Sequence, residues 1–191
     1  MICHCSFTKA VCMTDPLDIP RFPMPEVAKA AGEEVNTVRA WFARKQFLPS
    51  RSDRASEGRG RTNLLTQRTA YGLAIAAQLV RQGVPPARAY NIARAFTDTP
   101  FHYEHGESRD PGRLFPTGLT VLISYIEDDD PNVHRDGQSA FELSSGPHRL
   151  VRIAPDTDPT EVLLGRNSQR TSAVIVNCNA VCARVDKALG V

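Results

Sequence analysis

Basic side chains are concentrated in one part of this chain, between residues 35 and 70. That stretch holds eight Lys and Arg residues and two acidic ones, Asp53 and Glu57. The basic residues are Arg39, Arg44, Lys45, Arg51, Arg54, Arg59, Arg61 and Arg68. A local excess of positive charge is typical of a surface that meets a polyanion, because each cation can neutralise a phosphate group.

Part of this basic stretch has the spacing of an amphipathic helix. Val38, Trp41 and Phe42 stand at i, i+3 and i+4, which predicts one apolar stripe on a helix from about Val35 to Lys45. Amide, hydroxyl and guanidinium groups on the other side of such a helix can hydrogen-bond to base edges and phosphates. The major groove of DNA, about 12 Å wide, accepts one helix. The residues off the stripe that carry such groups are Asn36, Thr37, Arg39 and Arg44.

Other helices are predicted on both sides of this one. A helix that begins near Pro25 and is ended by Gly32 precedes it, with a connection of about three residues. Thr66 can cap a third helix, and Pro85-Pro86 opens a fourth that reaches about Phe96. Two helices joined by a tight turn that contains Gly make a helix-turn-helix unit.

A polar segment, residues 50–63, separates the second and third predicted helices. Ala55 is its largest hydrophobic residue, and its glycines at 58 and 60 let the chain reverse direction. The segment therefore predicts a small β-hairpin with basic flanks. Its arginines would neutralise phosphates beside the helix, which adds to salt dependence rather than to sequence discrimination. They are Arg51, Arg54, Arg59 and Arg61.

In this order the elements resemble the MerR-type winged helix-turn-helix family over about residues 23–96. The stretches that carry the resemblance are Val-Ala-Lys-Ala-Ala-Gly at 27–32, Asn-Thr-Val-Arg-Ala-Trp at 36–41, Phe-Leu-Pro at 47–49, the Gly/Arg-rich wing, and Leu-Val-Arg-Gln-Gly-Val-Pro at 79–85. The resemblance implies that Thr37 and Arg39 on the recognition helix contact DNA and that Trp41 mainly packs. Residues and resemblance together predict these DNA contacts: Asn36, Thr37, Arg39, Arg44, Lys45, Arg51, Arg54, Arg59 and Arg61.

Composition divides the chain into four parts. Residues 1–22 are expected to be a flexible tail, 23–97 the DNA-binding domain, 98–116 a linker, and 117–191 an α+β oligomerisation or effector domain. Residues 1–100 carry 14 Lys and Arg against 8 Asp and Glu, whereas acidic residues are in excess after residue 100. The expected fold class is α+β, an N-terminal all-helical winged helix-turn-helix domain followed by a small α+β domain with a C-terminal helix.

The end of the chain leaves two alternatives open. Val174, Cys178, Val181, Val185 and Ala188 are spaced 4, 3, 4 and 3, as along one side of an amphipathic helix. Residues 173–176 could instead be a last strand that leads into a shorter helix, because periodicity alone does not distinguish the two. The apolar stripe is either the seam of a homodimer or the face that packs on the chain's own sheet.

Metal and redox chemistry have weaker support. Cys3-His4-Cys5 with Cys12, and Cys178 with Cys182, contain soft-metal ligands, yet the second pair also suits core positions. The acidic run Glu127–Asp130 is more typical of a solvated turn than of a cation site. No nucleophile, paired-acid or phosphate-loop motif stands out, so we expect no enzyme activity, no cofactor and no metal.

The sequence thus predicts a sequence-specific, double-stranded DNA-binding transcriptional regulator that acts as a homodimer, with RNA polymerase or an effector molecule as possible further partners. One alternative is an excisionase-like architectural factor that bends DNA. Another is an interaction protein whose C-terminal domain senses a ligand or captures a partner. The apolar runs of the chain are too short to span a bilayer, and no secretory signal is evident, so a cytoplasmic location is expected.

Overall fold

The structure, a computed structural model, describes residues 14–54, 63–102, 108–126, 148–155 and 172–191, and these ranges contain five α-helices. Within these ranges a short 3-10 turn, Pro16–Asp18, precedes the first α-helix. The α-helices are α1 (Met24–Ala31), α2 (Val35–Ala43), α3 (Gln67–Arg81), α4 (Pro86–Thr97) and α5 (Cys178–Leu189). Together with the strands they confirm the α+β class.

The strands of the described ranges pair antiparallel throughout. Two of the sheets have only two short strands each: β1 (Phe22–Pro23) pairs with β2 (Leu64–Leu65), and β3 (Phe101–His102) pairs with β4 (Ser108–Arg109). The third is a sheet in which β5 (Leu119–Ile126) lies between β6 (His148–Ile153) and β7 (Ser172–Asn177). One face of this sheet packs on the helices through Leu122, Leu150, Val174 and Val176.

Local signals place the helix ends largely where the sequence predicts them. Gly32 ends α1 in the left-handed region, at φ 75°, where a side chain would be strained. The Thr66 hydroxyl accepts a hydrogen bond from the Thr69 amide at 3.1 Å and so caps α3. The second helix ends at Ala43, two residues before the predicted end, because Lys45 takes a left-handed φ of 56°.

One apolar cluster crosses the predicted domain boundary at residue 97. Val27 of α1, Ile75 of α3 and Phe96 of α4 share one buried cluster with Leu122 of β5 and Val185 of α5. All five side chains are at most 2% exposed. One face of the C-terminal sheet therefore completes the core of the N-terminal helices. A second, separate cluster forms among the strands, from Val121, Ile123, Tyr125 and Val151.

The segments predicted as tail and linker differ from those predictions where the structure describes them. Leu17 is buried, and Arg68 binds Asp15 at 2.9 Å and Asp18 at 2.7 Å, which fixes residues 14–22 on the start of α3. Sequence periodicity could not reveal this contact, because its partners are about 50 residues apart.

Arg109 organises the predicted linker. Its guanidinium is buried and donates to the carbonyls of Phe96 at 2.9 Å, Thr99 at 2.6 Å and Arg113 at 2.9 Å. Burial lowers the pKa of Arg109 to about 10, and the carbonyl oxygens offset part of the cost of removing the charge from water. Residues 108–116 thus pack on the end of α4.

The C-terminal segment follows the second of the two predicted alternatives. Val174 and Val176 are buried and Ile175 is exposed, the alternation of a strand, and the Asn177 side chain then caps α5 by accepting from the Ala180 amide at 3.1 Å. The apolar side of α5 lies against α1 and α3 of the same chain. The stripe therefore packs within the chain instead of offering a free seam to a second copy.

None of the helices in the described ranges is both long and apolar enough to cross a membrane.

Candidate nucleic-acid interface

An aromatic cluster supports α2 from the inside. Trp41 is buried and stacks on Phe47 with ring centroids 4.8 Å apart and planes 9° from parallel. Phe47 in turn lies 4.7 Å from the ring of Tyr90 on α4, and Val38 is fully buried one turn before Trp41. The predicted packing role of Trp41 is confirmed, while Phe42, predicted to share the stripe, is only half-buried.

The outward face of α2 carries the polar residues that the sequence selects. Asn36 and Arg39 are exposed, and Thr37 is half-buried beside them. The Arg39 guanidinium donates to the Asn36 amide oxygen at 3.4 Å, so these two side chains share one patch of surface. Arg44 and Lys45 are exposed just past the end of the helix. Of the predicted base-reading residues, Asn36, Arg39 and Arg44 are therefore exposed and Thr37 is half-buried.

The chain that leaves α2 is held against α4. The Tyr90 hydroxyl donates to the carbonyl oxygen of Leu48 at 2.6 Å. Burial, together with the nearby Asp98 carboxylate, raises the pKa of Tyr90, so the hydroxyl keeps its proton and remains a donor. Phe47 and Leu48 thus leave the helix in a fixed direction.

Asp53 fixes the same segment to the start of α3. Its carboxylate accepts from the amides of Ser50 at 2.7 Å and Thr66 at 2.8 Å, and from the Thr69 hydroxyl at 2.8 Å. The arginines on either side of it, Arg51 and Arg54, are exposed. The positions of these two cations therefore depend on a well-anchored loop.

The predicted hairpin is described only at its base. Arg54 and Leu64 form an antiparallel bridge, with amide-to-carbonyl distances of 2.9 and 3.0 Å. Leu64 then continues into β2, which pairs with β1 immediately before α1. The remainder of the predicted wing, including Arg59 and Arg61, lies outside the described residues.

The basic residues of this surface differ from the four arginines that form ion pairs among the described residues. Arg68, Arg81, Arg94 and Arg113 each bind a carboxylate at 2.9 Å or less. Within the described part of the chain, no ion pair involves the cations of the candidate interface, which are Arg39, Arg44, Lys45, Arg51 and Arg54. Their charge is available to an external anion.

Three residues that position this surface escape sequence analysis. Asp53 and Tyr90 anchor the loop, and Arg81 binds Glu33 at 2.7 Å and the Ala31 carbonyl at 3.2 Å, which ties α3 to the turn between α1 and α2. The only available signal is that Asp53 is one of just two acidic residues in a basic stretch. The partners of Tyr90 and Arg81 are more than 40 residues away, so local pattern carries no trace of them.

The described residues give no support for metal ligation. Cys178 and Cys182 are buried, and burial raises the pKa of the Cys178 thiol to about 12 and also raises that of Cys182. No group of three or more metal-ligand side chains occurs among the described residues. The cysteines before residue 13 and the acidic run Glu127–Asp130 lie outside them.

Comparison with models of protein families gives no match for this chain, and comparison with curated proteins gives none either. The case for this surface as an interface therefore comes from its geometry and charge.

Proposed function

We propose that this protein is a sequence-specific double-stranded DNA-binding regulator of transcription, which inserts α2 into the major groove. The observation that carries the proposal is the sidedness of α2. Val38 and Trp41 are buried, whereas Asn36 and Arg39 are exposed and hydrogen-bonded to each other. A helix with a rigid inner face and an outer face of amide and guanidinium groups suits base readout.

The polar residues on α2 and just after it have two different roles under this proposal. Arg39 and Asn36 read base edges, because guanidinium pairs bidentately with guanine and a carboxamide with adenine. Thr37 adds a hydroxyl donor and acceptor beside them. Arg44 and Lys45 lie past the end of the helix and contact phosphates, which position the domain without reading sequence.

The segment after α2 supplies a second set of phosphate contacts. Arg51 and Arg54 are exposed and carry charge with no carboxylate partner among the residues that the structure describes. We assign Arg59 and Arg61, on the predicted wing, the same role. Phosphate contacts release counterions, so this part of the interface contributes mainly to the salt dependence of binding.

We also propose that the protein binds DNA as a homodimer. A single helix-turn-helix covers only a short half-site, and paired modules engage half-sites about one helical turn apart. Because Val181, Cys182 and Val185 are buried within the chain, the apolar stripe of α5 does not form the interface. The proposed dimer uses another surface.

Selection of bound duplexes from a random pool, at low and at high salt, tests this proposal. An enriched motif that persists at high salt supports sequence-specific readout, and an inverted repeat of that motif supports the dimer. Salt-sensitive binding without an enriched motif would instead support an architectural DNA-bending factor. A protein that retains no duplex at low salt contradicts the proposal altogether.

A further inference from the structure

The segment between α2 and the predicted wing is anchored at two successive points. The ring of Phe47 lies between those of Trp41 and Tyr90, with centroid distances of 4.8 and 4.7 Å. The Tyr90 hydroxyl then binds the Leu48 carbonyl at 2.6 Å. These contacts leave Pro49 and the residues after it as the part of the segment that needs a separate anchor.

Asp53 provides that anchor with both carboxylate oxygens. Oδ2 accepts from the Ser50 amide at 2.7 Å, and Oδ1 accepts from the Thr66 amide at 2.8 Å. The Thr69 hydroxyl lies 2.8 Å from Oδ2 and 3.0 Å from Oδ1. One carboxylate therefore joins the loop to the N-terminal turn of α3, where the helix dipole also favours a negative charge.

The Asp53 carboxylate is hydrogen-bonded to groups other than the neighbouring arginines. Its oxygens bind amide and hydroxyl donors, and among the described residues it forms no ion pair with Arg51 or Arg54. An acidic residue between two arginines would ordinarily compete with phosphate for them. Here the carboxylate is occupied, and both arginines remain exposed.

We propose that Asp53 is the positioning residue of the phosphate-binding loop, which holds Arg51 and Arg54 where they contact DNA without itself touching the nucleic acid. The inference rests on the proposed function. A loop that is already ordered loses less conformational freedom on binding, so its phosphate contacts contribute more to affinity.

A mutant cycle on the salt dependence of DNA affinity tests this role. Each phosphate contact contributes about 0.9 to the slope of log Kd against log salt concentration, so replacing both Arg51 and Arg54 by Ala should reduce the slope by about 1.8. Asp53→Ala alone should produce a comparable reduction. In the Asp53→Ala background, replacing both arginines should change the slope by less than half as much as in the native protein.

A milder pair of variants guards against loss of folding. Thr69→Val removes the hydroxyl that binds Asp53 and nearly preserves side-chain shape, whereas Thr69→Ser keeps the hydroxyl. We expect Thr69→Val to reduce the salt slope and Thr69→Ser to leave it close to that of the native protein. The folded fraction of each variant is measured by circular dichroism, and the Thr69 pair replaces the cycle if Asp53→Ala does not fold.

The results separate the failure of this inference from the failure of the proposed function. If the native protein binds a selected duplex but the two arginine replacements reduce the slope equally with and without Asp53, the positioning role is wrong and the proposed function stands. A Thr69→Val slope equal to that of Thr69→Ser, with both folded, also overturns the role. If the native protein binds no duplex, the proposed function fails first.

Discussion

At the scale of single residues, the candidate interface is backed by buried side chains, Trp41 and Phe47 among them. Arg39 and Asn36 can be selected from the sequence because they lie off the stripe made by Val38 and Trp41. Their arrangement depends on the stacking of Trp41 on Phe47, which follows the end of α2. Under the proposed function, this backing would keep the exposed groups aligned with the groove, because a helix that tilts would misalign every proposed contact at once.

Trp41→Ala should therefore reduce stability substantially. The substitution removes a side chain that is 6% exposed and leaves a cavity between α2 and Phe47. Losses of about 3 to 5 kcal/mol are usual for large aromatic residues in cores. The free energy of unfolding is measured by urea denaturation, with exposed Arg44→Ala as the control, expected within about 0.5 kcal/mol of the native protein. Equal stabilities of the two variants would contradict the packing role.

The sequence identifies these residues better than it identifies their supports. Asn36, Arg39 and Trp41 are assigned correctly to outer and inner faces because a helical period distinguishes them locally. Asp53 and Tyr90 are not found, because their roles arise from contacts with Thr66 and Leu48 that only the folded chain brings together. Long-range hydrogen bonds have no periodic signature.

At the scale of elements, a polar network attaches α5 to α3. The Asp186 carboxylate accepts from the Tyr71 hydroxyl at 2.6 Å and from the Gln67 amide at 2.8 Å. Burial and the Asp186 carboxylate raise the pKa of Tyr71, so its hydroxyl remains a donor. This network links the last helix to the N-terminal part of α3, where Thr69 also binds Asp53.

Asp186→Ala should destabilise the whole fold. The change leaves the Gln67 amide and the Tyr71 hydroxyl without this acceptor in a buried site, which costs about 1 to 3 kcal/mol. The neighbouring exposed residue on the same helix supplies the control, and Lys187→Ala should change stability by less than about 0.5 kcal/mol. Thermal unfolding by circular dichroism distinguishes the two. An Asp186→Ala protein as stable as Lys187→Ala would show that the network adds nothing.

Docking of α5 also predicts the reactivity of its cysteines. Burial raises the pKa of Cys178 to about 12 and raises that of Cys182, so both thiols stay protonated near neutral pH. Alkylation by iodoacetamide at pH 8 should be at least about a hundredfold slower at these residues in the folded protein than in urea, because the thiolate is the reacting form. Peptide mapping resolves the sites. Comparable rates in both conditions would mean that α5 does not pack as described.

At the scale of the whole molecule, the larger of two buried clusters in the described residues joins helices before residue 97 to strands and α5 after it. The sequence predicts the helices before residue 97 well, because Pro, Gly and Thr mark their ends. It does not predict how α5 and Arg109 pack on distant helices, because these contacts have no local signal, and it leaves open whether the stripe of α5 is a dimer seam or packs within the chain. Removing α5 is therefore expected to expose the core formed by Val27 and Ile75 and to unfold the protein, rather than simply to convert a dimer to a monomer.

The most direct test of the central claim compares two duplexes, the sequence enriched by selection and a scrambled version of it. The ratio of their affinities should exceed tenfold for the native protein and for Lys187→Ala. Arg39→Ala should lose about 1 to 3 kcal/mol of that discrimination, because it removes a guanidinium from the base-reading face of α2. An Arg39→Ala protein that is folded and retains the full ratio would contradict base readout by α2.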